Sequence, residues 1–189
     1  MANKDAAFGL KPIGKVGQNG DNKGLSEYSI AASATAIYFQ DPVAMAATGT
    51  VTVAAAGGVL LGSLNGVFFT DATTSKPTFA NHLNASNTAT DIKGFVTDDP
   101  YQRYEVQSNN TGASAQTDIG NVANIEYTAG SSPDFVSKVE LDDSDLATSD
   151  GQLKVIGVSR DPENSDLTSA NVNFVVTINE HFLKQEAGV

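Results

Sequence analysis

Apolar residues recur along this chain in short alternating runs separated by turn-forming residues, and long windows with the 3.6-residue period of an amphipathic helix are missing. From Tyr28 onward the runs are AIYF (36–39), TVTVA (50–54), GVLLGSLNGVFF (58–69), IKGFV (92–96), YEV (104–106) and NIEY (124–127), then KVEL (138–141), LKVIGV (153–158) and NFVVTI (173–178). Clusters of Gly, Asn, Asp and Pro punctuate them. About nine or ten short strands in this arrangement predict an all-β domain, a β-sandwich or barrel. The long connections 71–90 and 108–120 favour Greek-key or jelly-roll returns over simple hairpins. Within DDSDLATSDG (142–151) a single helical turn with an Asp or Ser cap is expected.

Residues 1–24 break the pattern. They carry Gly9, Gly14, Gly17, Gly20 and Gly24, with apolar anchors only at Phe8, Leu10, Ile13 and Val16. Such a segment buries little against itself, which predicts an extended N-terminal arm on a single β-rich domain spanning 25–189. FGLKPIG is apolar and contains Pro, so it suits an extended path along a neighbour.

Composition narrows the function. A chain of 189 residues with 40% apolar content supports a real core. The absence of Cys removes disulfides, thiolate metal sites and a cysteine nucleophile. Eleven basic against 22 acidic residues leave a formal charge of −11, which argues against nucleic acid and against an anionic membrane as partners. No apolar run approaches a membrane span and MANKDAAFGLKP lacks the core of a signal peptide, so a soluble product made in the cytoplasm is expected.

Candidate chemistry is sparse. In NVNFVVTI the positions Val172, Phe174, Val176 and Ile178 alternate with Asn173 and Thr177, marking a half-buried strand. Extending that alternation puts His181 at the strand end, partly exposed. With His82 as the only other histidine, a zinc site lacks ligands, and no G-x-S-x-G elbow is present. Asp143, Asp145 and Asp150 offer oxygen ligands for calcium, but Ala147 and Thr148 stand where ligands belong, so a solvated acidic turn is favoured. Asp98, Asp99 and Glu105 with Tyr101 and Tyr104 suggest an acid/base pair beside a sugar platform. DDP reads more simply as a turn and YEV as an edge strand, and no Trp is available. GKVGQNG and GGVLLGSLNG lack the spacing and flanking elements of nucleotide loops. Neither a cofactor, a metal nor an enzymatic centre is expected.

Taken in order, FGLKPIG, IYFQDPV (37–43), KPTFANH (76–82), IKGFVTDDP (92–100) followed by YEVQ, LKVIGV, and VTINEH closing in AGV resemble the capsid cement, or head decoration, proteins of tailed bacteriophages. That resemblance implies a jelly-roll-like structural subunit, a homodimer or other homo-oligomer, on the outer surface of a virion, where it binds the phage major capsid protein and clamps adjacent capsid subunits. The expected contact residues are Phe8, Leu10, Pro12 and Ile13 in the arm and Phe182 and Leu183 in the tail. The rival readings are a carbohydrate- or surface-binding β-sandwich module of a virion that uses Tyr101, and a hydrolase built on His181.

Overall fold

The computed structural model describes residues 2–17, 24–109 and 114–184. Over these the chain forms β1 (Lys11–Lys15), β2 (Ser26–Ser29), β3 (Pro42–Met45), β4 (Val51–Val53), β5 (Gly62–Thr70), β6 (Pro77–Ala80) and β7 (Lys93–Thr97). There follow β8 (Gln102–Gln107), β9 (Val122–Ala123), β10 (Ile125–Glu126), β11 (Glu140–Leu141), β12 (Leu153–Val158) and β13 (Asn173–Ile178). All named strand pairs are antiparallel. One sheet runs β1-β8-β13-β12-β9, a second runs β2-β7-β5-β3-β4 with β6 also on β5, and β10 and β11 form a ribbon. The expected all-β class holds. Neither sheet closes on itself, so the barrel alternative is set aside.

The C-terminal alternation builds the first core. Val176 stands between Tyr104 and Val155 on the neighbouring strands, Phe174 faces Val106, and Ile178 faces Leu153. All seven are buried, and such cross-strand pairs are the unit of sheet stabilisation. A bulge between Val155 and Gly157 leaves Ile156 outward at 39% exposure and pairs Val158 with Phe174, returning Val158 to the core side. Leu60, Ala54 and Ala44 meet this cluster from the second sheet. Along β3, Val43 and Met45 point instead into a second cluster with Ile30, Ile37, Leu64, Leu83, Ile92 and Val96. The second sheet is therefore apolar on both faces, and the loops carrying Ile37, Leu83 and Ile92 cover its far side.

Several strands depart from the sequence-based expectation for identifiable reasons. β3 and β6 each begin with Pro and β1 contains Pro12. Proline is a turn signal, yet it is tolerated at the first residue of a strand or on a sheet edge, where its missing N–H costs nothing. AIYF is not a strand: Ile37 and Phe39 make single bridges to Leu83 and Val136, and the chain turns at Gln40 (φ 67°). The expected helical turn is a 3₁₀ turn at Asp143–Asp145, capped by Asp142, whose side chain accepts from the Ser144 N–H.

Residues 2–17 differ most from expectation, because they are laid into the fold instead of extending from it. β1 hydrogen-bonds along β8, which is an interior strand and not the expected edge. Leu10 is fully buried; its N–H donates to the Gln40 carbonyl at 2.9 Å and its carbonyl accepts from the Ser63 hydroxyl at 2.6 Å. Gly9, at φ 77°, passes where a Cβ would sit 2.4 Å from the Gln40 oxygen. Closer to the start, Asn3 donates to the carbonyls of Asp166, Ser169 and Ala170. The segment is too poor in apolar residues to bury against itself, but an open strand edge and a set of polar side chains receive it. The rest of the expected arm, Met1 and residues 18–23, and the tail after Lys184 lie outside the described residues.

Leu10→Ala should therefore cost about 2–5 kcal/mol of stability, as core truncations of this kind do. Ile13→Ala, at a position 40% exposed, should shift stability by less than about 0.5 kcal/mol. Urea unfolding of the two variants checks this; equal effects would return the segment to the status of a loose arm.

Candidate functional site

The turn after β7 gathers more of the chain's ends than any other. Pro100 follows Asp98 and Asp99, fixing a tight connection to β8, and the Tyr101 N–H donates to Asp99 Oδ1 at 2.7 Å. Asp98 accepts from the Ser26 and Tyr28 hydroxyls at 2.9 and 2.6 Å, and Asp99 pairs with Lys15 at 2.8 Å. That ion pair and the bonds from Tyr101 hold the Asp99 carboxyl below its usual range. The Tyr101 carbonyl accepts from the Val16 N–H, while Lys184 lies 4.9 Å from the centre of its ring. Segments from both ends of the chain thus meet on one exposed tyrosine.

His181 lies behind this turn and is fully buried, which corrects the expectation of a partly exposed strand end. The strand alternation stops at Ile178. Asn179 and Glu180 bend the chain, so His181 bridges Leu60 instead of continuing outward: the Leu60 N–H donates to the Glu180 carbonyl and the Phe182 N–H to the Leu60 carbonyl. The Leu183 N–H donates to His181 Nδ1 at 3.1 Å, and the other side of the ring meets the Asp98 backbone. Burial pushes the imidazole pKa down to about 4, with Lys184 adding to the shift and Asp98 and Asp99 opposing it. A neutral, enclosed ring offers no face to a substrate.

The other proposed acid, Glu105, is turned away from this cluster. Asp98 and Asp99 follow β7, whereas Glu105 lies on the outer face of β8, where Lys11 pairs with it at 3.0 Å and the Ser159 hydroxyl donates to it. Beside it Gln107 donates to Asn173 Oδ1 and the Lys4 carbonyl and accepts from the Ala6 N–H. These groups are buried because residues 3–6 lie over the sheet, and each bond made by Glu105 or Gln107 links separate chain segments.

The acidic ribbon is a third cluster. β10 and β11 place Glu126 opposite Glu140, and like charges directly opposite are destabilising. Asn109 ties Glu126 to the neighbouring turn by donating to Glu126 and, at 3.4 Å, to Asp142, while accepting from the Asp143 N–H. A cleft lined by Asp5, Ala6, Ala7, Thr128, Lys138 and Glu140 opens beside the ribbon. Asp145, one of the calcium candidates, is held by the Asn124 side chain at 2.6 Å. Among the described residues no three His, Cys, Asp or Glu side chains gather as a metal site.

The surface feature that sequence reasoning missed lies on the second sheet. Val67 and Phe69 face the second core, so Phe68 between them faces out. Phe68 pairs with Phe79 across β5 and β6, and Phe95 pairs with Gly66 across β7 and β5. The Phe79 ring lies over Gly66, where an added Cβ would meet it at 3.0 Å, and stands 5.8 Å from the Phe95 ring. Phe79 is 65% exposed and Phe68 39%. A Lys93–Glu27 pair borders the rings. GVFF reads as core from hydrophobicity alone; only the period-2 count from Val67 separates Phe68 from Phe69.

Of the expected contact residues, Leu10 is buried, Phe8 and Pro12 are half-buried, Phe182 packs on the second core, and only Ile13 and Leu183 stand exposed. Comparison with protein-family models, curated proteins and solved structures found no match for this chain.

Burial pushes the Glu140 carboxyl up to about 7, with the charges of Asp5, Glu126 and Asp143 adding to the shift. The folded state then holds a proton that the unfolded state releases near its ordinary 4.5, so stability falls as pH rises from 4.5 to 7. Glu140→Gln removes this loss. Because the side chain is partly solvated, the expected gain at pH 8 is on the order of 1 kcal/mol, vanishing near pH 4.5. Urea midpoints of both proteins at the two pH values measure it.

Proposed function

We propose that this chain is a structural virion protein that binds the outside of a phage capsid and cements neighbouring major capsid subunits. The observation that carries the reading is the aromatic face of Phe68 and Phe79, both exposed, with half-buried Phe95 beside them. Contiguous exposed aromatic area marks a contact surface on a soluble protein, and aromatic anchors supply much of the energy of protein–protein interfaces. The rings are held by cross-strand packing and by Gly66, so little side-chain freedom is lost when a partner covers them.

Three further features support the reading. The ordered motifs from FGLKPIG to VTINEH resemble those of capsid cement proteins. The formal charge of −11 suits a surface turned away from packaged DNA. The polar clusters of Asp98 and Glu105 tie separate chain segments together, which is a structural use of their charges. The jelly-roll description, self-association and an outer-capsid location belong to the same proposal. The sugar-binding alternative loses ground at Tyr101, since Lys184 lies over its ring.

Mass spectrometry and electron microscopy of purified particles test the reading directly, with the chain expected at hundreds of copies per head. Phe79→Ser should weaken each contact by about 2 kcal/mol, roughly thirtyfold in affinity, while leaving thermal unfolding within about 2 °C of the parent. Occupancy on heads, measured by quantitative gel or reconstruction, should drop accordingly. Full occupancy in a Phe68→Ser/Phe79→Ser double variant would remove the aromatic face from the contact.

A further inference from the structure

We propose that His181 is an acid-sensitive latch on the C-terminal segment: a second proton on its ring breaks the bond from the Leu183 N–H and frees Phe182–Lys184 from Leu60 and Tyr101. The inference is independent of the capsid reading and rests on hydrogen-bond geometry. Nδ1 accepts from the Leu183 N–H, so it must present a lone pair, and the neutral ring carries its hydrogen on Nε2. Nε2 already carries its hydrogen on the side of the Asp98 backbone. A second proton has only Nδ1 to occupy, where it would point at another N–H.

The charged groups around the ring do not welcome that proton. On its own segment Lys184 repels it, and Glu180 lies in the bend itself. From the turn after β7, Asp98 and Asp99 attract it, but Asp98 is engaged by Ser26 and Tyr28, and Asp99 by Lys15 of β1. Burial outweighs their pull and keeps the ring neutral until about pH 4. Once the segment swings out, the ring regains an ordinary value of 6.5. The ties that release with it are local: the Leu60 bridge, the Phe182 packing and the Lys184–Tyr101 contact. β13 ends at Ile178, so Asn179 and Glu180 form the hinge and the sheet stays intact.

Between these two values the opening equilibrium should shift roughly tenfold per pH unit, about 300-fold over the window. Amide hydrogen exchange of the full chain, read by mass spectrometry and corrected for intrinsic rates, measures it. Low micromolar concentration is needed because the net charge vanishes near pH 4.3. Protection of Phe182, Leu183 and Lys184 should fall with pH while that of Val155 and Val176 stays level. His181→Asn keeps an acceptor near the Nδ1 position and cannot take the proton, so its protection should be flat. Wild-type protection that stays level from pH 6.5 to 4.5, or that falls equally in β12 and β13, overturns the latch. Should His181→Asn fail to fold, the NMR titration of His181 decides: a midpoint near 6.5 with an unchanged Leu183 amide also overturns it.

Discussion

A single hydrogen bond sets how the two sheets meet. Tyr104 is fully buried at the centre of the first sheet, and its hydroxyl donates to the carbonyl of Thr97, the last residue of β7 in the second, at 2.8 Å. A buried phenol must find an acceptor, and here one acceptor fixes both the separation and the stagger of the sheets. Burial raises the Tyr104 pKa, with Asp98 and Asp99 adding to it, so the phenol remains a donor. Gly62 follows from this arrangement. A Cβ at that position would lie 2.1 Å from the Thr97 oxygen, so only glycine lets β5 run beside the carbonyl that Tyr104 uses. The turn that ends β7 is held in place by this bond, and Val16, Lys184 and His181 all dock against that turn.

The chain has no cysteine and so no disulfides, and among the described residues there are no long helices, so its loops need other means of satisfying backbone groups. Amide side chains supply them. Gln152 donates to the carbonyls of Ala55 and Gly58 and accepts from the Ile125 N–H, tying three remote segments. Gln102 donates to the Gly14 carbonyl, Asn164 to those of Lys4 and Asn171, and Asn179 to that of Gly151. An unpaired buried carbonyl costs about as much as a lost hydrogen bond, so each tie contributes mainly by preventing that loss. Because the ties span distant segments, residues 2–10 are part of the domain's polar interior as much as of its edge.

The same non-local logic divides what was legible in the sequence from what was not. β12 and β13 were readable to the residue because their alternation is a local consequence of one buried face. The cap at Asp142 was readable because it acts over two residues. The strand of Glu105 was misplaced as an edge strand, since the strand that covers that edge, β1, comes from residues about ninety positions away. His181 was misplaced because alternation was carried past the point where the chain bends to reach Leu60. Proline hid β3 and β6, because it is tolerated at the first residue of a strand although it ordinarily signals a turn. The aromatic face escaped because hydrophobicity treats Phe68 and Phe69 alike, and register is decided by pairing partners.

These separations bear on function. A reactive centre requires groups with perturbed pKa values to converge around a space that a substrate can enter. Here Tyr28, Asp99, Tyr104 and His181 gather about the turn after β7, where Tyr104 and His181 are sealed from solvent, whereas Asp41, pushed up to about 6 by burial, and Glu140 on the acidic ribbon lie elsewhere. Each shift has a packing cause close by. What the fold does present to solvent is a rigid aromatic face on β5, β6 and β7, in a sheet whose two sides are otherwise committed to cores. Phe68 and Phe79 remain exposed, so they gain the modest stabilisation of a cross-strand aromatic pair and not that of a buried core. Their packing on one another and on Gly66 holds them in a fixed arrangement, the property on which the proposed contact rests.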